Sequence, residues 1–118
     1  MSSKIIEQSL KLELIDALAD ARMQHIQWVG DVLKDDKFEA EADHTQCNFG
    51  KWMIKVKGIL GELEEFQDID IPHRELHMVY KLLINNPEHS VLREELKLLS
   101  YKLIDRVDLL EKRLSSDD

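Results

Sequence analysis

The clearest helical pattern in the chain lies in residues 91–114, VLREELKLLSYKLIDRVDLLEKRL. Apolar side chains recur there in steps of three and four residues, which places them on one face of a helix. These side chains are Leu92, Leu96, Leu99, Leu103, Val107, Leu110 and Leu114. Asn86-Pro87 precedes the run, and proline suits a first helical turn because the amide it lacks has no partner there. The sequence therefore predicts a long fourth helix with a continuous apolar seam.

Residues 4–34 form the first predicted helix. Steps of three and four again connect the positions that are compatible with a core, so these positions share one face. They are Ile6, Leu10, Leu14, Ala17, Ala21, His25, Trp28 and Val32. Residues 35–48 have no clear period, which predicts a loop that carries Cys47 near its end.

Two shorter helical regions follow this loop. Residues 49–66 carry an apolar face, but Gly58 and Gly61 are expected to break or bend it into short helical pieces. Residues 70–72, Asp-Ile-Pro, are typical of a helix start, with the aspartate as the cap and the proline in the first turn. The third predicted helix runs from there to about Asn85.

These segments define an expected architecture. Amphipathic helices joined by short connections pack their apolar faces together. We expect an all-α fold, an antiparallel bundle of about four helices with a short broken helix after the cysteine-containing loop. A chain of 118 residues suits one domain, so residues 1–118 are predicted as a single unit.

Composition argues against two classes of partner. The net charge of -8 disfavours nucleic acid, whose binding depends on neutralising phosphates with Lys and Arg. No apolar run approaches the roughly 18 residues of a membrane span. Residues 1–14 also lack the apolar block and cleavage site of a signal peptide. We therefore expect a cytoplasmic protein that binds neither nucleic acid nor a membrane.

Cys47 is the single cysteine of the chain. It cannot form an intramolecular disulfide, so it is a buried apolar residue, a redox thiol, a nucleophile or a metal ligand. It lies just before the predicted second helix, where the positive end of the helix dipole lowers a thiol pKa. A thiolate is therefore expected at this position.

Three histidines fall on predicted core faces. His73 and His77 are four residues apart on the third helix, so their rings can reach a common ion. His25 is in phase with the apolar face of the first helix. Each of them could instead be an ordinary core imidazole that is held by a carbonyl or a carboxylate. A shared metal ion would satisfy all three histidines together.

Three imidazoles and one thiolate make a closed tetrahedral set that suits zinc, and the soft sulfur argues against calcium or magnesium. We predict zinc as the cofactor and no catalytic residue. The predicted ligands are His25, Cys47, His73 and His77. Two further histidines are assigned to the surface: His44 in the loop, and His89 in the first turn of the fourth helix, where the dipole disfavours a cation.

Three blocks of sequence together resemble the CZB family, the bacterial chemoreceptor zinc-binding domains. The family pattern is His-x-x-Trp, then Cys-x-Phe/Leu-Gly-x-Trp, then His-x-x-x-His. Here the blocks read HIQW at residues 25–28, CNFGKW at residues 47–52 and HRELH at residues 73–77, in the same order. The Cys-Gly-Trp block is the most specific part. The resemblance carries the same four zinc ligands over, position by position.

The resemblance also implies a role. Such domains regulate chemoreceptors or the diguanylate cyclases that make cyclic-di-GMP, in response to zinc or to oxidants acting at the zinc-bound cysteine. They commonly act as homodimers. This sequence contains no receptor or cyclase domain, so it either acts on a separate partner or is an excised domain.

The leading hypothesis is a non-enzymatic zinc-binding sensor in bacterial signalling, and three alternatives remain. A zinc hydrolase needs an open coordination position and a carboxylate base. A di-iron bundle needs inward Glu residues paired with His on several helices. A structural module would dimerise through the seam of the fourth helix, with the histidines incidental.

Overall fold

The computed structural model describes residues 8–35, 38, 43 and 45–116. Five helices occur in these residues, and no strand does. They are α1 (Gln8–Asp35), α2 (Asn48–Leu60), α3 (Glu64–Gln67), α4 (Asp70–Asn85) and α5 (Ser90–Ser115). The all-α prediction is confirmed. The first four residues of the predicted first helix, and His44, lie outside the described residues.

Helix α5 is the centre of the bundle, and α1, α3 and α4 pack along it. Lys11 near the start of α1 donates a hydrogen bond to the carbonyl of Ser116, just past the end of α5, at 2.8 Å. Arg93 near the start of α5 donates to the carbonyl of Leu33 in the last turn of α1, at 2.6 Å. Helices α1 and α5 are therefore antiparallel, as predicted. The bundle is elongated, about 50 × 21 × 20 Å.

The apolar seam of α5 is buried inside this single chain. Six of its seven predicted members are buried, and only Leu92 is partly exposed. The seam is covered by α1, α3 and α4, so it is not available for dimerisation. This weakens the alternative of a structural module that dimerises through this seam.

The core face of α1 differs slightly from the face that the sequence pattern indicated. Leu14, Ala21, His25 and Val32 are buried as expected. Leu18 and Val29 are also buried although the predicted face did not include them, whereas Ala17 and Trp28 are only partly buried. The true core direction of α1 is thus rotated slightly from the predicted one.

The second helical region breaks at Gly61 and not at Gly58. Helix α2 continues through Gly58 to Leu60. The amide of Gly61 donates to the carbonyl of Lys57 at 2.8 Å, and a Cβ atom at Gly61 would collide with that same carbonyl oxygen. The single turn of α3 follows and buries Phe66. The prediction of short pieces is confirmed, but its expected break at Gly58 is wrong.

Two predicted helix starts differ from the observed ones. Ile69, without a side-chain cap, precedes α4, and the Asp70 carboxylate instead pairs with Arg74 at 3.1 Å, one turn later. Helix α5 begins at Ser90, and the Nδ1 of His89 accepts the Leu92 amide at 3.3 Å. Asp70 is therefore not a cap, and His89 is one.

Candidate metal centre

The four predicted metal ligands lie together in the structure. His25 comes from α1, Cys47 directly precedes α2, and His73 and His77 come from α4. One potential ligand atom from each residue lies within 4.8 Å of the other three. The three imidazoles are 6%, 1% and 2% exposed in that order, and Cys47 is partly buried. Three segments that are distant in sequence thus converge on one buried point.

The imidazole rings meet nearly at right angles. The ring centroids of His73 and His77 are 4.8 Å apart with an interplanar angle of 84°. The His25 ring lies 5.4 Å from His73 and 6.0 Å from His77. Phe49 of α2 packs edge-to-face against His73 at 5.1 Å, and Trp28 of α1 lies 4.9 Å from His77. Aromatic side chains therefore fix the ring positions from both sides.

Cys47 is the N-cap of α2. Its Sγ accepts a hydrogen bond from the Gly50 amide at 3.2 Å and lies 3.3 Å from the Nε2 of His73. The extended backbone of Cys47, with φ -71° and ψ 159°, is normal for a cap and turns the sulfur toward the first turn. The cap geometry thus positions Cys47 beside α4.

The pKa of the Cys47 thiol is raised, contrary to the prediction of a lowered one. Burial is the largest cause of the rise, and the nearby Asp43 adds to it. The amides of Gly50, Phe49 and Cys47 oppose it by favouring the thiolate. Desolvation of the charged form outweighs these amides. A thiolate at Cys47 therefore needs a cation beside it, and a metal ion would supply one.

His25 is held as a neutral imidazole, the form of histidine that binds a metal ion. Burial lowers its pKa to about 3, and the nearby His77 contributes to the same shift. Its Nδ1 is buried and forms no hydrogen bond with any described residue. A buried polar atom without a partner costs about 1–3 kcal/mol, so a cation at this position would remove a real penalty. The residues present thus fit a metal ion.

The donor set itself indicates the kind of metal. Three nitrogens and one sulfur suit tetrahedral zinc, whose bonds of about 2.0–2.3 Å bring ligand atoms roughly 3.3–3.8 Å apart. The side chains need to close by about 1 Å to reach this spacing. The group offers no oxygen ligand, whereas calcium and magnesium are bound by oxygen atoms. The buried polar side chains of the described ranges are three histidines and Ser100, so no buried Glu is present for a di-iron centre.

A cavity of about 250 Å³ adjoins the cluster. His25, Cys47 and His77 contribute to its wall, together with Trp28 and Phe49. Its exposed lining consists of three neutral amide side chains: Gln24, Gln46 and Asn48. The sequence analysis missed this rim, although each of its members is one residue from a predicted ligand. Adjacency in the sequence was the only signal that could have indicated it.

The remaining histidine of the described chain lies outside the cluster. His89 is exposed, as predicted, and caps α5. In the same described ranges, no helix is long and apolar enough to cross a bilayer.

Comparison with known proteins assigns the family. A family model described as the chemoreceptor zinc-binding domain, CZB, matches residues 25–84 of the 118. The match covers a little over half of the chain and includes all four clustered residues. No curated protein and no solved structure matches the chain. CZB is a regulatory zinc-binding domain associated with chemoreceptors and signalling proteins, and it is not a known enzyme family. The chain belongs to the chemoreceptor zinc-binding domain family.

Proposed function

We propose that this protein is a non-enzymatic sensor that binds one zinc ion and modulates bacterial signalling, either chemotaxis or cyclic-di-GMP production. The proposed ligands are His25, Cys47, His73 and His77. The observation that carries the proposal is the convergence of four buried or partly buried donors, none a carboxylate, from three separate segments. The cytoplasmic location expected from the sequence is part of the same proposal.

The ligand positions suggest how occupancy becomes a signal. Zinc, when bound, holds Cys47 as a thiolate and links the start of α2 to α1 and α4. Helices α1, α3 and α4 pack along α5, whereas α2 is attached through its own buried side chains and through the Cys47 contacts. Loss of zinc, or oxidation of the Cys47 sulfur to a sulfenic acid, would remove one of those attachments. The position of α2 is therefore expected to depend on whether zinc is bound and whether Cys47 is oxidised.

Treatment of the zinc-loaded protein with stoichiometric hypochlorous acid or peroxide tests the oxidant response. We expect release of zinc, measured with a chromogenic chelator, and faster amide hydrogen exchange in α2 than in α5. The Cys47→Ala variant, loaded with zinc as far as it can be, is the control that lacks the reactive sulfur. Unchanged zinc content and unchanged exchange after treatment would contradict an oxidant signal and leave zinc availability as the stimulus.

A zinc hydrolase remains the second candidate because the cavity gives access to the cluster. It would need Cys47 not to be a ligand, so that three histidines and a water complete the coordination. The 3.3 Å separation of the Cys47 sulfur from the Nε2 of His73 favours ligation instead. If a Cys47→Ala variant kept its full zinc affinity, that result would favour the hydrolase over the sensor.

We further propose that the protein forms a homodimer through the outer face of α1. Seven apolar or small residues follow one another there in steps of three and four: Leu12, Ile15, Ala19, Met23, Ile26, Gly30 and Leu33. Ile15 and Leu33 lie at the edge of this stripe and also pack against the core. Leu12, Met23 and Ile26 are 54%, 67% and 51% exposed. The stripe is about 32 Å long at 1.5 Å per residue. No atom of the described residues lies within 4 Å of a Cβ at Gly30, so another helix can approach. A second copy of α1 matches this length and pattern.

A further inference from the structure

Helix α2 is positively charged in an acidic protein. It contains Lys51, Lys55 and Lys57 and no acidic residue, although the whole chain has a net charge of -8. All three lysines are exposed, and none forms an ion pair with a described residue. Lys51 and Lys55 are four residues apart and share one face of the helix. Ile54, which lies between them in the sequence, is 62% exposed. The outer surface of α2 is therefore a positive patch that includes an apolar side chain.

A cavity of about 380 Å³ lies beside this patch, between α2, α3 and α4. Among its described lining residues are the buried side chains of Met53 and Phe66 and the exposed side chains of Ile54, Lys57 and Arg74. We call the surface formed by these five residues the α2–α4 groove. Its volume falls in the range of about 300–1,000 Å³ for ligand sites, which combine an apolar floor with a few polar groups. The groove can therefore take an apolar side chain and bring the neighbouring residues of that ligand close to two cations.

The described lining of the groove is positive on balance. Asp70 also lines it, and its carboxylate lies 3.1 Å from the Nε of Arg74, so this pair is neutral and Lys57 adds a positive charge. Neither acidic side chain of α3 is among the described lining residues, and Glu65 instead lies 4.0 Å from Arg113 of α5. Exposed charges more than about 8 Å apart are largely screened at physiological ionic strength. The negative charge elsewhere on the chain therefore acts only weakly at the groove.

We propose that the α2–α4 groove binds an acidic peptide segment of a partner protein. The segment inserts an apolar side chain over Met53 and Phe66 and places a carboxylate beside Lys57. Apolar burial stabilises the complex, whereas the charges orient the segment and speed association. A nucleic acid or an anionic bilayer would face the whole acidic molecule, so a short segment suits this local patch better. The inference rests on the proposed function in one respect, because it makes α2, the helix that follows Cys47, the surface that a signalling partner contacts.

Selection of random displayed peptides on the zinc-loaded protein tests the proposal. We expect the enriched sequences to combine Asp or Glu with a large apolar residue. The most enriched peptide is then synthesised with a fluorescent label, and its affinity is measured by fluorescence anisotropy. Lys57→Glu should lower this affinity about tenfold, because a repulsion replaces an attraction. Ile54→Ser should lower it by a similar factor, since an apolar contact with the peptide is lost.

Two substitutions on α5 are the matched controls. Lys97→Glu reverses an exposed cation, and Leu98→Ser removes an apolar side chain that is 51% exposed. Neither residue is among the described lining residues of the groove. Both variants should keep the wild-type affinity. Circular dichroism checks the fold of every variant, and Lys57→Gln makes the same comparison if Lys57→Glu does not fold.

The results decide between the acidic segment and other occupants. Acidic peptides whose affinity falls in Lys57→Glu and Ile54→Ser, and not in the controls, support the proposal. A lack of acidic sequences among the enriched peptides, or equal effects of all four substitutions, overturns it. Binding of a labelled oligonucleotide or of phosphatidylglycerol vesicles in place of acidic peptides also overturns it, in favour of a polyanion. Self-association of the chain that Lys57→Glu abolishes would make a second copy the occupant instead.

Zinc content, measured on the same samples, separates this inference from the proposed function. A protein that binds no zinc and still binds acidic peptides in the groove would refute the zinc sensor and keep the inference. A zinc-loaded protein that selects no acidic peptide would refute the inference and keep the sensor.

Discussion

Burial shifts the pKa values of the two kinds of donor in this site in opposite directions. It lowers the pKa of His25 to about 3 and raises the pKa of the Cys47 thiol. In both residues the neutral form is favoured, because a charge is costly away from water. At pH 7 the imidazole can bind a metal directly, whereas the thiol must first lose a proton. Zinc binding should therefore release a proton from Cys47.

The lowered pKa of His25 predicts how the stability of the metal-free protein depends on pH. The unfolded residue titrates near 6.5 and the folded one near 3. Below pH 6.5 the unfolded state therefore binds a proton that the folded state does not, and stability falls as pH falls. The His25 contribution should amount to about 1.4 kcal/mol of unfolding free energy between pH 7.5 and 5.5.

Urea denaturation in the presence of a chelator, at pH 7.5, 6.5 and 5.5, measures this effect. His25→Phe should lose the pH-dependent component, whereas His89→Phe, at an exposed position, should keep it. A stability difference between wild type and His25→Phe that is constant across this range would contradict the burial of a neutral His25.

At the scale of helices, α2 begins next to a candidate metal ligand and ends next to a glycine that is needed for steric reasons. Cys47 caps its start, and Gly61 follows its last residue. Gly58 lies inside the helix, exposed, with nothing within 4 Å of an added Cβ. The two glycines therefore have opposite effects on stability. Gly58 only weakens the helix, whereas Gly61 is needed where the helix ends.

Substituting each of these glycines with Ala should change stability in opposite directions. Gly58→Ala should raise the free energy of unfolding by about 0.5–1 kcal/mol, because Ala loses less backbone entropy in a helix. Gly61→Ala should lower it by about 1–3 kcal/mol, because the new Cβ displaces the Lys57 carbonyl. Thermal and urea denaturation of both variants provide the comparison. The same sign for both would refute the assigned end of α2.

Arg93 joins the end of α1 to the connection between α4 and α5. It donates to the carbonyls of Val32 and Leu33 at 3.2 and 2.6 Å, and to that of Pro87 at 2.8 Å. The first two carbonyls lie in the last turn of α1, where no amide of the same helix can reach them. The guanidinium also complements the negative end of the α1 dipole. This contact sets the register between α1 and α5.

Loss of this contact should be costly. Arg93→Leu should lower the free energy of unfolding by about 1.5–3 kcal/mol, the range for hydrogen bonds to a charged group. Arg106→Leu is the matched control, since Arg106 pairs only with the exposed Asp105 in the contacts described. That change should cost less than about 1 kcal/mol. Equal effects of the two substitutions on urea denaturation would mean that Arg93 does not fix the register.

Most helices, and the clustering of His25, Cys47, His73 and His77, could be predicted from the sequence, because the helical faces depend on local spacing. The seam of α5 and the four-residue interval of His73 and His77 follow directly from the helical period. The pKa of Cys47 could not be predicted, since its burial comes from α1 and α4, far away in the chain. The amide rim of the cavity is likewise a product of tertiary packing. Helix starts failed where a tertiary or side-chain contact replaced the expected cap, as at Asp70.

For the whole molecule, the apolar seam of α5 is buried within the chain, so the proposed dimer surface lies on α1 instead. Met23→Glu places a charge at the middle of the proposed stripe and should convert a dimer into a monomer, because an unpaired buried charge is costly. Leu98→Glu is the control, at a similarly exposed apolar position on α5. Light scattering coupled to size-exclusion chromatography gives the mass of each. A wild-type monomer, or a dimer that survives Met23→Glu, would contradict the α1 interface.

The central claim is that one zinc ion is held by donors from α1, the start of α2 and α4. Elemental analysis of the purified wild type beside Cys47→Ala, His77→Ala and His89→Ala tests it most directly. We predict one zinc per chain in the wild type and in His89→Ala, whose substitution lies outside the cluster, and a large loss in the other two. Full zinc content in both Cys47→Ala and His77→Ala would contradict the site.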